Sequence, residues 1–287
     1  HVFGKGPAQW PELFPNSCSG RYQSPIDIPS HHTIYDPSLK EFAIFYDPPL
    51  PGSSFEVHNN GHALEVNTEG EFYVTNGGLK NIYNTGQFHF HWGDRSDHGC
   101  EHAINGQRAP LEMHIVNWSN RFHNFTEASK QPGGLSVFGV LFELSPFDNP
   151  ILESIIKVLP RVRDPDRHRL IKVPAISMKH LLPRMPGRYY RYIGSLTTPR
   201  CHETVIWTIF EQKQTISERQ LRYFRRLLTH DDHRSNFLRQ DRQRLPRRRL
   251  MNNFRPVCPL HGRMVYRSFQ YGTEDKRTKH FVCRTVS

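Results

Sequence analysis

Two short stretches of this 287-residue chain carry side chains that can hold a metal and do chemistry with it. Gln87-Phe88-His89-Phe90-His91-Trp92 alternates polar and aromatic residues. In an extended strand successive side chains point to opposite faces, so Gln87, His89 and His91 share one face. Phe88, Phe90 and Trp92 share the other. Leu111-Glu112-Met113-His114-Ile115-Val116 repeats the pattern, with Glu112, His114 and Val116 facing one way. If the two strands are neighbours, three neutral imidazoles converge on one point. Three nitrogen ligands without a fourth from the protein form the catalytic zinc pattern, because a position stays open for water. Gln87 and Glu112 lie two residues from His89 and His114, placed to accept a hydrogen bond from each ligand's distal N–H and fix its tautomer.

A single His-x-His says little in a chain with 18 histidines; two such strands, each with its own polar supporter, say much more. A cupin-like redox site, holding iron, is the alternative owner of His-x-His. It wants a glutamate a few residues on, and the next one here is Glu101, ten residues after His91.

The elements that must position these groups read mostly as short strands between Gly, Pro, Asn and Asp turns. Segments 55–59, 63–67, 72–75, 87–92, 111–118, 137–144 and 205–210 carry the pattern. Asn149-Pro150 caps a helix over 151–159, with the proline in its first turn. Ser217-Glu218-Arg219-Gln220 fits a capping box, followed by Leu221, Phe224 and Leu228 at helical spacing. Segment 252–260 is irregular. No repeat or low-complexity linker divides the chain. The fold class expected is mainly β (α+β): one sheet-dominated domain with a few peripheral helices.

Composition narrows the partners. The net charge is +11, but residues 161–255 hold 23 Lys or Arg against 8 Asp or Glu, about +15 in that window alone. The densest part is 239–249. Such a region is either a solvated basic loop or a surface for an acidic polysaccharide or mineralising matrix. No nucleic-acid module accompanies it, so no nucleic-acid partner is expected. No apolar run approaches the roughly 18–20 residues of a membrane span. Residue 1 does not open a signal peptide, so any targeting segment is expected to have been removed or left out. The cysteines Cys18, Cys100, Cys201, Cys258 and Cys283 include no Cys-x-x-Cys, which excludes the usual thiolate zinc sites. Asn117-Trp118-Ser119 and Asn124-Phe125-Thr126 are glycosylation sequons. Asn124 is the better acceptor, since Asn117 follows an apolar strand pattern.

Taken together, seven segments resemble the alpha-class carbonic anhydrases, of the secreted type. They are the strand Gln87 to Gly93, Gly99 to His102, Glu112-Met113-His114, and Gly194-Ser195-Leu196-Thr197-Thr198-Pro199. The others are Gln23-Ser24-Pro25-Ile26-Asp27-Ile28, Asn59-Asn60-Gly61-His62-Ala63 and Asn252-Asn253-Phe254-Arg255-Pro256. They follow the family's order over about residues 1–265, leaving a tail at 266–287, so the whole chain 1–287 is expected to be one such domain. The resemblance implies a twisted, mostly antiparallel ten-stranded sheet with peripheral helices. It implies Zn2+ held by His89, His91 and His114, and reversible hydration of carbon dioxide to bicarbonate by attack of zinc-bound hydroxide.

Further roles follow from the same resemblance. Thr197 accepts a hydrogen bond from the hydroxide and passes its own hydroxyl proton to Glu101. Val116, Val137, Leu196, Val205 and Trp207 form an apolar wall for CO2, and Thr198 lines the bicarbonate side. His62 is the proton shuttle, suited by its near-neutral pKa, with Asn60 and Gln87 ordering water. Some positions depart from the family. Phe3 replaces a tyrosine, Arg200 a proline and Cys100 a serine. Glu65 replaces an amide, and a carboxylate there is expected to raise the pKa of His62 if the two are close. Cys18 and Cys201 match the disulfide of secreted and membrane-anchored members, which implies an extracellular location. Closing so long a loop contributes about 5 kcal/mol at most. Cys100, Cys258 and Cys283 remain, with a Cys258–Cys283 bond or an intermolecular one left open.

Overall fold

The computed structural model describes residues 6–230 and 248–272. Phe3, Cys283 and residues 239–247 of the basic stretch lie outside the described residues.

The strands read from alternation are all present, most of them longer. Segment 87–92 is the end of a 14-residue strand, Leu79–Trp92. Segment 111–118 is Leu111–Ser119, and 137–144 is the middle of Leu135–Ser145. Segments 55–59, 63–67 and 72–75 become Ser54–Asn59, Leu64–Glu69 and Tyr73–Asn76. Ten strands follow one another across the main sheet. From edge to edge they are Ile171–Pro174, Ser54–Asn59, Leu64–Glu69, Leu79–Trp92, Leu111–Ser119, Leu135–Ser145, Val205–Phe210, Tyr189–Gly194, Tyr266–Arg267 and Ile34–Tyr35. Phe42–Phe45, Tyr73–Asn76 and Gln214–Ser217 pair beside this path, which makes 13 strands in all. Most pairings are antiparallel; Leu135–Ser145 runs parallel to Val205–Phe210 and to Gln214–Ser217, and Tyr266–Arg267 to Ile34–Tyr35.

One face of the sheet carries the larger core. Phe88, Phe90, Trp92, Leu111, Met113 and Ile115 are buried there in a single apolar cluster. Each fully buried large side chain contributes about 1.5–3 kcal/mol relative to an exposed one. The capping-box helix, Glu218–Phe224, closes over this face. Its Phe224 ring lies 5.1 Å from Phe90 and 5.4 Å from Trp92. Ser217 Oγ accepts from Gln220 N at 3.0 Å, and the Gln220 side chain accepts in return from Ser217 N. Leu228, expected to extend that helix, lies beyond it and bridges to Arg249. At the other expected helix Asn149 Oδ1 accepts from Ile151 N. Its first turn, Pro150–Leu152, is 3-10 and only Glu153–Val158 is α-helical.

Candidate metal centre

Register decides which side chains meet. Leu79–Trp92 and Leu111–Ser119 pair antiparallel with His89 directly opposite His114, Gln87 opposite Val116 and His91 opposite Glu112. Directly opposed residues point to the same face with Cβ atoms about 4.5–5.5 Å apart. The next strand sets Gly139 opposite His114 and Val137 opposite Val116, and Trp207 lies beside Val137. One row across the sheet is therefore Gln87, Val116, Val137 and Trp207, and the adjacent row holds His89, His114 and Gly139. A Cβ at Gly139 would stand 3.1 Å from Glu112 Oε1, so the glycine leaves room for that carboxylate.

The three histidines converge with candidate ligand atoms all within 4.8 Å of one another. His89 Nδ1 donates to Gln87 Oε1 at 2.9 Å, and His114 Nε2 to Glu112 Oε1 at 2.7 Å. His91 Nδ1 donates to the carbonyl of Asn253 at 2.8 Å. Each partner accepts, so each outer nitrogen carries the proton and each inner nitrogen is left with a lone pair. His91 Nε2 and His114 Nδ1 then face each other 3.1 Å apart, two lone pairs that a shared cation resolves. Burial lowers the pKa of all three rings, keeping them neutral as ligands must be. The donor set fits a zinc ion: three imidazole nitrogens with oriented outer partners.

Glu112 is the most heavily engaged group. Its Oε1 also accepts from His102 Nδ1 at 2.7 Å, and Oε2 accepts the backbone N–H groups of Glu101 and His102, both at 2.8 Å. Burial alone would raise its pKa, but His102 and His114 hold it well below the usual carboxylate range. His102 Nε2 continues the chain to Tyr192 Oη, which reaches Ser24 Oγ. Glu101 is buried beside His91 and His114, and its Oε1 accepts from Arg255 N at 2.7 Å. Burial, with Glu112 close by, pushes Glu101 up to about 7 against the pull of His114, Thr197 and Arg255. Thr197 is buried and acts on this carboxyl through a side-chain hydrogen bond. Glu101 Oε2 has no hydrogen-bond partner among the described residues.

Val116, Val137, Val205 and Trp207 are buried in one apolar cluster with Leu196 packed against it. The Trp207 ring lies 4.8 Å from His114, so this wall adjoins the candidate metal ligands. Thr198 is exposed beside it. The loop bearing both threonines is tied down by a Cys18–Cys201 disulfide. Arg200 and Cys201 take positive φ of 82° and 44° there, costly for side chains with a Cβ.

His62 is at the surface, in a turn where Asn60 Oδ1 accepts from the N–H groups of His62 and Ala63. The Asn60 side chain thus serves the turn. The expectation that Glu65 raises the pKa of His62 is not met. Glu65 turns to Asn60 Nδ2 at 3.1 Å and to His58 at 3.7 Å, and burial instead lowers His62. Cys100 is buried and accepts from Ala109 N; burial pushes its thiol up to about 12, so it is inert. Cys258 is half-buried and has no disulfide partner among the described residues, while Cys283 lies outside them. Asn117 is buried, with its amide bonded to Thr85 and Ser136, and so cannot accept a glycan in the folded chain. Asn124 is exposed as the N-cap of Phe125–Ala128.

Sequence reasoning placed Asn253 and Arg255 in a family segment without a role. The structure gives them three: orienting His91, tying down Glu101, and holding His62, whose carbonyl accepts from Asn253 Nδ2 at 3.0 Å. The bonds to His91 and Glu101 come from backbone groups of this irregular segment, which carry no residue-type signal.

The sheet brings three oriented histidines together beside an apolar wall, a cluster that could hold a single metal ion. The profile of the family described as eukaryotic-type carbonic anhydrase matches residues 5–269, and the chain belongs to that family. It is 36% identical over 269 residues to carbonic anhydrase 7 of mouse (Mus musculus) and to that of Homo sapiens, covering 92% of this chain and 95% of each relative. It is also 36% identical over 268 residues to human carbonic anhydrase 12, covering 92% of this chain and 71% of that one. No helix among the described residues is long and apolar enough to cross a membrane.

Proposed function

We propose that this chain is a carbonate dehydratase whose zinc is held by His89, by His91 and by Nδ1 of His114. It catalyses the reversible hydration of carbon dioxide to bicarbonate and a proton, with Zn2+ as cofactor. The observation that carries the residue assignment is the set of outer bonds to Gln87, Asn253 and Glu112, which leaves three unprotonated nitrogens aimed together. When bound, zinc makes a water acidic enough to yield hydroxide near neutral pH, an effect for which carbonic anhydrases are the reference case, and its charge favours ionised Glu101.

The protein's own groups then set direction. Thr197 gives its hydroxyl hydrogen to Glu101, so its oxygen is left to accept from the attacking nucleophile and to turn a lone pair toward the substrate carbon. Val116, Val137, Leu196, Val205 and Trp207 exclude water around CO2, which gains little from polar contacts. Thr198, at the open side, takes the bicarbonate product. His62 accepts the released proton and delivers it to solvent. Stopped-flow CO2 hydration with metal analysis, on the protein and on His91→Ala, tests this reading. Fast hydration with about one zinc per chain, both collapsing in the variant, supports it; zinc without hydration overturns it.

The extracellular location belongs to the same proposal. A disulfide linking residues 183 apart persists in an oxidising compartment, and Asn124 is an accessible sequon. A mobility shift on deglycosylation of the secreted protein, abolished in Asn124→Gln, tests it. A second reading adds a docking role for the basic surface, where Arg163 and Arg226 flank a largely apolar cavity of about 150 Å³ lined also by Leu159, Pro160, Tyr223 and Leu227. Salt-sensitive binding to a sulfated polysaccharide, lost in Arg163→Ala/Arg226→Ala, is its test.

A further inference from the structure

One pair of side chains beside the turn bearing His62 has no part in the chemistry above: His230 and Asp166. The turn after Ser54–Asn59 brings them to His62. Gly61 has φ of 82°, and His230 packs so closely over it that a Cβ there would lie 2.1 Å from the imidazole Cδ2. Asn59 locks the corner together. Its Nδ2 donates to the carbonyls of Leu228 and Arg163, at 2.9 and 3.0 Å, and its Oδ1 accepts from Gly61 N at 2.9 Å.

Both nitrogens of His230 are committed. Nδ1 lies 2.7 Å from Asp166 Oδ1 and Nε2 lies 3.0 Å from the carbonyl of Asn60. A carboxylate and a carbonyl only accept, so both bonds form only when the ring carries two N–H groups and a positive charge. That ring stands edge-on to His62, with centroids 5.9 Å apart.

We propose that His230 is a positioning residue for proton release, a cation fixed by Asp166 and Asn60 that steadies the turn bearing His62 and drives protons off that ring. The proposal rests on the reading of His62 as proton carrier. When His62 takes up a proton, two imidazolium rings face each other, so the N–H proton passes to a water or buffer base and His62 returns to neutral. Partial burial of the ring comes first in lowering the pKa of His62, and the charge of His230, the smallest of the causes, acts in the same sense as the geometry. Among the described residues, the charged groups bonded at this corner are Asp166, which partly neutralises His230, and Glu65, which is turned to Asn60 and His58. Arg163 meets the corner through its backbone carbonyl.

The zinc-loaded enzyme is compared with His230→Gln, His230→Arg and His62→Ala by NMR titration of the His62 ring and by CO2 hydration in dilute and imidazole-rich buffer. Gln keeps an amide donor for Asn60 but removes the charge. His62 is expected to titrate at higher pH in the Gln variant. Dilute-buffer turnover on the acid side then falls about threefold, the factor for a unit charge about 6 Å away screened as in water. Imidazole, carrying the proton in place of His62, rescues it, and Arg restores the wild-type titration. An unmoved His62 titration in His230→Gln overturns the proposal, as does a shift that Arg fails to reverse. Unchanged dilute-buffer turnover in His62→Ala sinks the shuttle reading instead, and shows itself separately from the titration.

Discussion

The two faces of the strands Leu79–Trp92 and Leu111–Ser119 are built from interleaved residues of the same segments, yet they do different work. On one face Phe88, Phe90, Trp92, Met113 and Ile115 sink into a large apolar cluster where many contacts share the load. On the other, Gln87, His89, His91, Glu112 and His114 each make a particular hydrogen bond that no neighbour duplicates. The first face is tolerant of detail and sets stability. The second is intolerant of detail and sets chemistry, because a buried polar group that loses its partner has nothing to replace it.

The comparison is broken most severely by removing a ligand. His114→Ala is expected to release zinc and abolish CO2 hydration while the protein stays folded, as metal analysis and circular dichroism would record. If that variant keeps a full complement of zinc, the assignment of the second face is wrong. Glu112→Gln comes next. Losing an outer-shell partner typically weakens metal binding by about 10–100-fold, measured by competition with a chelator. Its bonds to His102 and to two backbone N–H groups predict a loss of thermal stability as well. On the apolar face, Phe90→Ala is expected to cost about 3–5 kcal/mol in denaturant unfolding, with zinc stoichiometry intact in the folded fraction. A Phe90→Ala protein that folds normally but loses zinc would erase the distinction between the faces.

The smallest effect is at an exposed ion pair. Asp148 is held below the usual carboxylate range by Arg219, 2.8 Å away, and by Ser217. A carboxylate depressed in the folded state stabilises it above the unfolded pKa, and that stability is lost as pH falls through the folded value. Asp148→Asn should therefore lower stability slightly at neutral pH and flatten its decline below about pH 4. Because the pair is exposed, salt should shrink the difference.

Much of the site was legible from spacing alone. The two-residue period of a strand put His89 with His91 and with Gln87, and Glu112 with His114, before any pairing was known. The capping box at Ser217 was equally local and holds as read, because an N-cap and its third helical residue are always within reach of each other. Leu228 was misjudged as helical for the same local reason: its spacing fits, but a bridge to Arg249, distant in sequence, takes it elsewhere.

Sequence by itself therefore determined which residues can share a face, which segments carry the family's pattern and which cysteines match its disulfide. Tertiary structure decided what each atom does. The partner of His91 is a backbone carbonyl 162 residues away, and a carbonyl has no residue-type signature to read. Glu65 was close enough in sequence to suggest an effect on His62, but its direction depends on where the carboxylate points, and it points to Asn60 and His58. His230 lies in none of the family's segments and gains its place only from the fold, which sets it over Gly61 and against Asp166. Periodicity is fixed by the covalent chain, whereas protonation and orientation are fixed by the partners that burial brings together, and those come from everywhere in the sequence.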